Sequence, residues 1–280
     1  PIEQPKTIFP DSAKNITING IDYLQSQAPI GKFGGELISS TIGEGPKTFN
    51  PFNTKDATSA TMSEIMYDGL LTTDAQTGKV IPKLAKSYSI SPDGTIYTII
   101  LRKGITWSDG RPITADDVYF TWHDIIFAGL GNTSTRDSVL IDGKLPKIKK
   151  LDDYTIQFIT SKPFAPFLRN LSTPIAPKHI FEPAVKKGAE YFDTFLGTTT
   201  KPKDFVISGA FKLKEYVPAQ RLIFERNPNY YVINTKNQKL PYLNKIVFLI
   251  VADLNNELLK FEAKELDIIP LRGSTVGKYK

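Results

Sequence analysis

The chain has 280 residues, 40% of them hydrophobic, and it carries a formal net charge of +6 with a pI near 9.2. This length predicts about two domains, the absence of cysteine excludes disulfides and thiolate chemistry, and no apolar run approaches the roughly 18 residues of a membrane span. The lysine clusters at 147–150, 186–187 and 201–203 lie in separate segments, so we interpret them as scattered solvated side chains and expect no nucleic-acid partner.

The first predicted elements follow an irregular beginning. Residues 1–33 contain four prolines and few periodic signals, which predicts an irregular leader arm. Glu36–Ile42 is strand-like. Apolar residues then recur at helical spacing over 62–70, and a helix is expected there.

The start of that helix has two candidate caps. Thr61 and Glu64 stand at the spacing of a capping box, and Thr58 is the alternative cap. Further along, Tyr88–Arg102 predicts a β-hairpin, because Ser91–Gly94 reads SPDG, with proline and glycine where a type I turn favours them.

The stretch WSDGRPITADDVYFTW, residues 107–122, raises the question of whether its carboxylates form a catalytic pair. Thr114 occupies an N-cap position, and Asp116 and Asp117 follow in the first helical turn. Free backbone N–H groups and the helix dipole there stabilise both carboxylates as anions, which is the wrong direction for a general acid. We therefore expect a capped helix start and no acid–base pair.

The second half of the chain adds strands and a strand–helix–strand unit. Residues 154–160 predict a strand and Phe211–Arg226 a second hairpin. At the end, a strand at Lys245–Val251, a helix capped by Asp253 and a strand-like segment at 266–271 follow in order. That order is typical of a parallel sheet, so the chain is predicted to mix α/β units with antiparallel hairpins.

Motifs for catalysis, metals and cofactors are missing from the sequence. It contains no G-x-S-x-G nucleophile elbow, no phosphate-binding P-loop and no zinc-ligand spacing. His123 and His179 have no neighbouring histidine or cysteine at metal-ligand spacing, and a lone histidine is more often a surface or core residue than a ligand. We expect no catalytic residue, no metal and no cofactor, and hence no enzyme.

Four blocks of sequence stand in a specific order: GGELISSTIGEGPKTFNPF (34–52), a block that runs from MYDGLL to YFTW (66–122), SGAFKLKEYVPAQRLIFERNPNYY (208–231) and KELDIIP (264–270). Together they resemble the family 5 extracellular solute-binding proteins, the dipeptide- and oligopeptide-binding components of ABC importers. The resemblance covers Gly34 to Pro270, and LRKGITWSDGRPITADDV is its most specific part.

The resemblance implies an α/β fold, a type II periplasmic-binding-protein-like lobe with a mixed sheet and an additional α+β domain. Residues 34–67 and 180–272 would form the mixed-sheet domain and 68–179 the additional domain. Residues 273–280 would start the hinge to a second lobe. Family members are far longer than this chain, so we expect the second lobe to be largely missing from it.

The resemblance also implies where a ligand is contacted. The expected contacts come from three places, the loop before the first helix, a loop further along and the segment before the second hairpin: Lys55, Asp56, Ala57 and Thr58; Asn132 near Ser134; Ser208 and Gly209. Lys55 would not hold a peptide amino terminus, whereas Asp56 could. These assignments rest on the concentration of binding residues on loops held by a rigid scaffold. With one wall of the cleft missing, we expect 55–58 and 208–209 to lie along one exposed concave face.

The resulting hypothesis is a monomeric substrate-binding protein that captures peptides outside the cytoplasm, in the periplasm or anchored to the membrane as a lipoprotein, and delivers them to ABC permease subunits. One alternative is binding of an oligosaccharide or another small solute, and a second is the ligand-sensing module of a regulator. A wide cleft with aromatic platforms would favour an oligosaccharide, while backbone donors and acceptors along an extended cleft would favour a peptide. The absence of a helix-turn-helix segment counts against the regulator.

Overall fold

The computed structural model describes residues 13–74 and 77–270. The described part contains strands and helices throughout. The strands are β1 (Ala13–Ile18), β2 (Ile21–Ser26), β3 (Glu36–Ile42), β4 (Leu71–Thr73), β5 (Val80–Pro82), β6 (Ala85–Ile90), β7 (Ile96–Leu101), β8 (Lys147–Asp152), β9 (Thr155–Ile159), β10 (Phe211–Val217), β11 (Arg221–Arg226), β12 (Val232–Ile233) and β13 (Lys245–Val251). The α-helices are α1 (Ala57–Met66), α2 (Ala115–Phe120), α3 (Ser134–Ser138), α4 (Phe167–Asn170), α5 (Lys178–Lys186), α6 (Ala189–Thr194) and α7 (Leu254–Glu262).

The first large sheet has the strand order β10-β11-β13-β3. Strand β11 pairs antiparallel with both β10 and β13. Strand β3 pairs with β13 in parallel, with Glu36 opposite Lys245 and Ile42 opposite Val251. The predicted mixture of parallel and antiparallel pairing is present, but the parallel partner of β13 is β3 and not the segment after α7. Asp253 caps α7 by accepting a hydrogen bond from the backbone N–H of Asn256, as expected.

The expectation of a strand at 266–271 is wrong over residues 266–270, which the structure describes. No regular strand forms there; instead the backbone N–H of Asp267 donates to the carbonyl of Ile38 at 2.8 Å, and its carboxylate accepts from the N–H of Ile38 at 2.7 Å. The side chain thus takes the place of a second ladder bond, so a single residue is fixed at the edge of β3. Leu271 lies outside the described residues.

The second large sheet is antiparallel throughout, with the order β6-β7-β9-β8. Its β6–β7 hairpin turns through the predicted SPDG segment, where Gly94 has φ +73° and its N–H donates to the carbonyl of Ser91. The edge strand β8 contains three lysines and two apolar residues, so its strand conformation depends on pairing with β9 rather than on an apolar pattern.

The helix in the stretch 107–122 begins as predicted. Thr114 and Asp117 form a capping box: the Thr114 hydroxyl accepts from the N–H of Asp116 at 3.3 Å, and the Asp117 carboxylate accepts from the N–H of Thr114 at 3.0 Å. The helix continues from α2 through a π-helical segment, Thr121–Phe127. Its buried side chains, Trp122 among them, face the second large sheet, where Trp122 contacts Phe158 edge-on.

The expectation of an irregular leader arm over residues 1–33 is wrong between Ala13 and Ser26, while residues 1–12 lie outside the described residues. Strands β1 and β2 form a hairpin, and β12 extends it by pairing in parallel with β2. The turn is Asn19-Gly20 with φ +49° and +79°, a type I′ geometry that an Asn-Gly pair favours strongly. Arg102 holds the hairpin by donating to the carbonyl of Tyr23 at 3.0 Å.

Each of the two large sheets lies within one of the two predicted domains. Strands β3, β10, β11 and β13 lie within 34–67 and 180–272, whereas β4 to β9 lie within 68–179. One continuous cluster of buried side chains joins the two groups, so the division into domains stays a prediction. The segment assigned to a hinge, 273–280, lies outside the described residues.

Candidate functional site

The loop before α1 ends in a helix cap that differs from both predicted caps. The two carboxylate oxygens of Asp56 accept hydrogen bonds from the backbone N–H and the hydroxyl of Ser59, at 2.8 and 2.7 Å. The helix therefore starts at Ala57, several residues earlier than the apolar spacing indicated. Thr61 lies inside the helix, where its hydroxyl donates to the carbonyl of Ala57. Because the Asp56 carboxylate is committed to the cap, its role toward a ligand amine stays a prediction.

The neighbours of Asp56 are available to solvent to different degrees. Lys55 and Ala57 are exposed, and Lys55 has no ion pair within the described residues. Thr58 is half-buried, and its hydroxyl shares a 2.9 Å hydrogen bond with the hydroxyl of Thr41 on β3. The start of α1 is thus fixed to the first large sheet, while an exposed lysine stands just before it.

A second predicted segment is brought against this loop. The side-chain amide of Asn132 donates to the carbonyl of Thr54 at 2.7 Å, and its backbone N–H donates to the carbonyl of Phe52 at 2.7 Å. Its side-chain oxygen accepts from the N–H and the hydroxyl of Ser134. The structure therefore places Asn132, with Ser134 beside it, against the backbone of Thr54, the residue before Lys55, although 78 positions separate Asn132 from Thr54 in the sequence.

The approach of these two loops requires a glycine. Gly131 has φ +69°, and a Cβ at this position would lie 2.2 Å from the side-chain oxygen of Asn53 and 2.4 Å from the carbonyl oxygen of Phe52. The absence of a side chain at residue 131 is what allows Asn132 to reach the loop.

A small cavity of about 160 Å³ lies where the loops meet, between Thr54, Asn132, Ser134 and Pro174. Complete small-molecule sites are usually about 300–1,000 Å³. This cavity can therefore take one side chain or one terminus of an extended ligand, and the rest of such a ligand would lie on the open surface.

The other side of the loop is held by α6, which the sequence analysis missed. The amides of Asn50 and Asn53 both donate to the carbonyl of Phe192, at 3.2 and 2.9 Å. Beside this contact a wider cavity of about 650 Å³ is lined by Tyr191 and Phe195. Lys187 lies over the Tyr191 ring at 4.2 Å, and the Tyr191 and Phe195 rings stack. The spacing of these three residues, i, i+4 and i+8, is the signal that could have revealed the surface.

Ser208 and Gly209 lie at the opposite end of α1. The Ser208 hydroxyl accepts from the N–H of Asp68 at 2.9 Å, and the Gly209 N–H donates to the carbonyl of Met66 at 2.8 Å. Both residues are buried, and a helix of this length separates its ends by about 15 Å. The expectation that they share an exposed face with 55–58 is wrong, because α1 packs over them. Their contact with a ligand stays a prediction.

The paired aspartates of the stretch 107–122 do not face each other across a cleft. Asp116 is exposed and pairs with Lys150 at 2.9 Å. Asp117 is buried, and burial raises the pKa of its carboxyl despite three hydrogen bonds from the N–H groups of Thr114 and Lys178 and the indole of Trp107. The expectation that both carboxylates are stabilised as anions is wrong for Asp117, because the loss of solvation outweighs the capping bonds.

The histidines and acids form no metal cluster in the described part of the chain, where no three potential ligands come together. His179 contacts the carboxylate of Asp109 at 2.8 Å, and His123 contacts that of Asp124 at 2.8 Å. Each histidine ring thus has a carboxylate within hydrogen-bond distance.

Comparison with known sequences and structures finds relatives over most of the chain. The profile of the family described as bacterial extracellular solute-binding proteins, family 5 Middle, matches residues 79–279. A probable ABC transporter-binding protein of Deinococcus radiodurans is 34% identical over 227 residues, which are 79% of this chain and 38% of that protein. A periplasmic alpha-galactoside-binding protein of Rhizobium meliloti is 30% identical over 183 residues, which are 63% of this chain and 26% of that protein.

Among solved structures, the oligopeptide-binding protein of Bacillus subtilis in complex with a nonapeptide matches with a TM-score of 0.72 and 26% identity, over 88% of this chain and 46% of that one. The expected fold class, an α/β lobe of the periplasmic-binding-protein type, is confirmed. The chain spans less than half of the length of these relatives.

Proposed function

The chain belongs to the family 5 bacterial extracellular solute-binding proteins, and on that premise we propose that it is the N-terminal portion of a substrate-binding protein that captures peptides for an ABC importer. Its ligand contacts would come from the loop at Lys55–Thr58 and from Asn132, with Ser208 and Gly209 supporting α1 from behind. The observation that carries this proposal is the loop before α1, which is exposed at Lys55 but held on both sides by hydrogen bonds from Asn132 and to α6.

Such a loop is suited to an extended ligand. Its backbone is fixed before binding, so little conformational entropy is lost when a ligand contacts it. The cavity beside Asn132 offers a place for one side chain, which fits binding of a peptide whose main chain lies on the surface. The match to a relative solved with a nonapeptide supports the same ligand class.

The partners and location follow from the same premise. We propose that the protein works outside the cytoplasm, as a monomer, and passes its solute to membrane permease subunits without chemical change. No helix among the residues that the structure describes is long and apolar enough to cross a bilayer. We expect peptides to be recovered uncleaved after incubation, which mass spectrometry checks; turnover that a point substitution in this chain abolishes would contradict a pure binding role.

A second candidate is an oligosaccharide. It is favoured by the relative named for alpha-galactoside binding and by Tyr191, which is 41% exposed at the wider cavity. An exposed aromatic ring is a platform on which a sugar can stack. This candidate uses the α6 side of the loop, whereas the peptide proposal uses the Asn132 side.

Calorimetry on the product of the complete reading frame separates the two candidates. Peptides of different lengths and alpha-galactosides are titrated into the wild type and into Asn132→Ala, Tyr191→Ala and the distant control Asn15→Ala. Peptide binding that Asn132→Ala weakens supports the first proposal. Saccharide binding that only Tyr191→Ala weakens supports the second proposal. If neither peptides nor saccharides produce a heat of binding, both proposals are contradicted.

A further inference from the structure

The cavity of about 650 Å³ beside α6 contains charged groups that neither candidate ligand above accounts for. Part of its lining is aromatic, because Tyr191 is 41% exposed and Phe195 stacks with it. Most of its polar lining comes from one short segment after α6: Thr199, Thr200, Lys201, Lys203 and Asp204. The cavity therefore combines an apolar surface for a ring with charged and hydroxyl groups.

Cations predominate at this cavity. Lys201 and Lys203 are both exposed, and neither has an ion pair among residues 13–74 and 77–270, so each ammonium offers its N–H donors to a ligand. A third cation lies at the aromatic part, where the Lys187 ammonium is 4.2 Å from the centre of the Tyr191 ring. Among the described lining residues, Asp204 supplies the carboxylate. The excess of positive charge favours a ligand with an anionic group.

The backbone that carries these charges is fixed by hydrogen bonds. Pro202–Asp204 forms a short 3-10 turn, in which the N–H of Asp204 donates to the carbonyl of Lys201 at 2.9 Å. Leu196, which also lines the cavity, has φ +53°, and its carbonyl accepts from the N–H of Phe49 at 3.0 Å. A bulky residue keeps such a conformation only where the surrounding structure holds it. A ligand therefore has to order the lysine side chains but not the segment itself.

The lining residues indicate the chemistry of a matching ligand. The apolar face of a sugar ring can pack against Tyr191 and Phe195, and its hydroxyls can donate to the carboxylate of Asp204 and to the threonine hydroxyls. A neutral sugar would leave both lysines without a partner, whereas a sugar that carries a carboxylate provides acceptors for them. The volume of the cavity lies within the usual range for small-molecule sites, about 300–1,000 Å³.

We propose that this cavity binds an acidic saccharide, with its carboxylate at Lys201 and Lys203 and its ring against Tyr191. The inference rests on the second candidate of the proposed function, a saccharide on the α6 side of the loop, and it specifies the charge of that saccharide. Because both lysines are exposed, each ion pair contributes modestly to affinity and is screened by salt. The selectivity for an acidic sugar over a neutral one therefore depends on ionic strength.

The test is calorimetry on the product of the complete reading frame with three matched probes: α-1,4-digalacturonate, its dimethyl ester and α-1,4-galactobiose. Digalacturonate should bind roughly fivefold or more tightly than either neutral probe at low salt, and the difference should shrink at high salt. Equal binding of the three probes would overturn this inference but leave the second candidate standing. If none of the saccharides binds, this inference and the second candidate both fail, while peptide capture is unaffected.

Matched variants assign the binding to this cavity. Lys201→Gln and Lys203→Gln should each weaken digalacturonate binding about threefold to fivefold and leave galactobiose binding unchanged. Tyr191→Ala should weaken both saccharides by a similar factor, because it removes the surface for the ring and not the charge. The control Lys149→Gln, an exposed lysine of β8 without an ion pair in the described part of the chain, should have no effect. A digalacturonate affinity that is insensitive to both Lys201 and Lys203 would contradict the assignment.

Discussion

The buried carboxylate of Asp117 accepts a hydrogen bond from the backbone N–H of Lys178 at 2.9 Å, and so joins the first turn of α2 to the first turn of α5. The same carboxylate closes the capping box of α2 and accepts from the indole of Trp107. A single buried side chain therefore connects three segments of the chain.

The first prediction concerns the pH dependence of this junction. Because burial raises the pKa of Asp117 above the ordinary value of 3.8, the folded protein binds this proton more tightly than the unfolded chain does. The contribution of Asp117 to the free energy of unfolding is therefore present at low pH and falls as the pH rises from about that ordinary value through the raised folded value. Asp117→Asn removes the titration and, by losing acceptors for backbone N–H groups, should cost about 1–3 kcal/mol.

Urea unfolding at a series of pH values measures this effect. The difference in free energy of unfolding between wild type and Asp117→Asn should shrink as the pH rises across that window. Asp116→Asn in the same helical turn is the control, since its exposed pair with Lys150 should be worth less than about 1 kcal/mol. A difference that stays constant with pH would show that Asp117 does not titrate as described.

The second prediction tests the cap of α1. Asp56→Ala should lower the free energy of unfolding by about 1 kcal/mol, because it removes both bonds to Ser59. Thr61→Ala, by contrast, should be neutral or stabilising by about 0.5 kcal/mol, because alanine is the better helix former inside a helix. Thermal or urea unfolding measures both changes in the free energy of unfolding. An equal loss of stability in both variants would mean that Asp56 and Thr61 contribute equally to the cap.

The third prediction concerns the close approach at Gly131. Gly131→Ala should displace the loop at Asn53 and destabilise the protein by more than the control Gly143→Ala. Both glycines have a positive φ, but a Cβ at Gly143 meets nothing within 4 Å. The control should therefore show only the backbone cost of about 1–2 kcal/mol for that conformation. Amide hydrogen exchange at Asn132 should also increase in Gly131→Ala alone.

The fourth prediction depends on the proposed peptide capture. Lys55 is an exposed cation at the candidate loop, and the carboxylate that follows it in the sequence, that of Asp56, is used in the helix cap. Acidic peptides should therefore bind more tightly than basic ones, and Lys55→Glu should reverse that order by roughly 1 kcal/mol at low salt. Calorimetry in low and high salt measures the change, with Lys14→Glu on β1 as the control. A preference that does not depend on Lys55 would place the ligand elsewhere.

The fifth prediction is that the 280-residue chain by itself binds peptides weakly. A ligand on one wall of a cleft stays largely solvated. Little favourable binding free energy then remains after the loss of association entropy, which costs roughly 4 kcal/mol or more. The product of the complete reading frame should bind more tightly if its further residues add an opposing wall. Equal, tight binding to both forms would mean that the site is complete within these residues.

Much of the local structure was predictable because it depends on residues close together in the sequence. The SPDG turn sets the β6–β7 hairpin, and Thr114 with Asp117 sets the start of α2, since turns and caps are determined within four or five residues. The Asn19-Gly20 turn belongs to the same class; its hairpin signal was present in the sequence, although the prolines around it indicated an irregular arm. The cap of α1 was predicted in the wrong place because Asp56, Thr58 and Thr61 are all acceptable caps locally.

The candidate site was predictable only in part. Lys55 to Thr58 and Asn132 were named from the resemblance, but the approach of Asn132 to this loop depends on a hydrogen bond to Thr54, 78 positions away in the sequence. The surface at Tyr191 was missed. Lys187, Tyr191 and Phe195 do recur at helical spacing, but the same spacing is that of an ordinary packed helix face.

By itself the sequence determined the SPDG turn, the helix caps at Thr114 and Asp253, the mixed α/β class and the family, because these depend on short-range geometry or on motif order. Only the tertiary structure decided which polar groups are buried. Ser208 lies under α1 and Asp117 lies between two helices, while Lys55 stays in solvent. Burial is a property of packing between distant segments, and it determines the pKa of a carboxyl, the availability of a hydroxyl and the shape of a cavity.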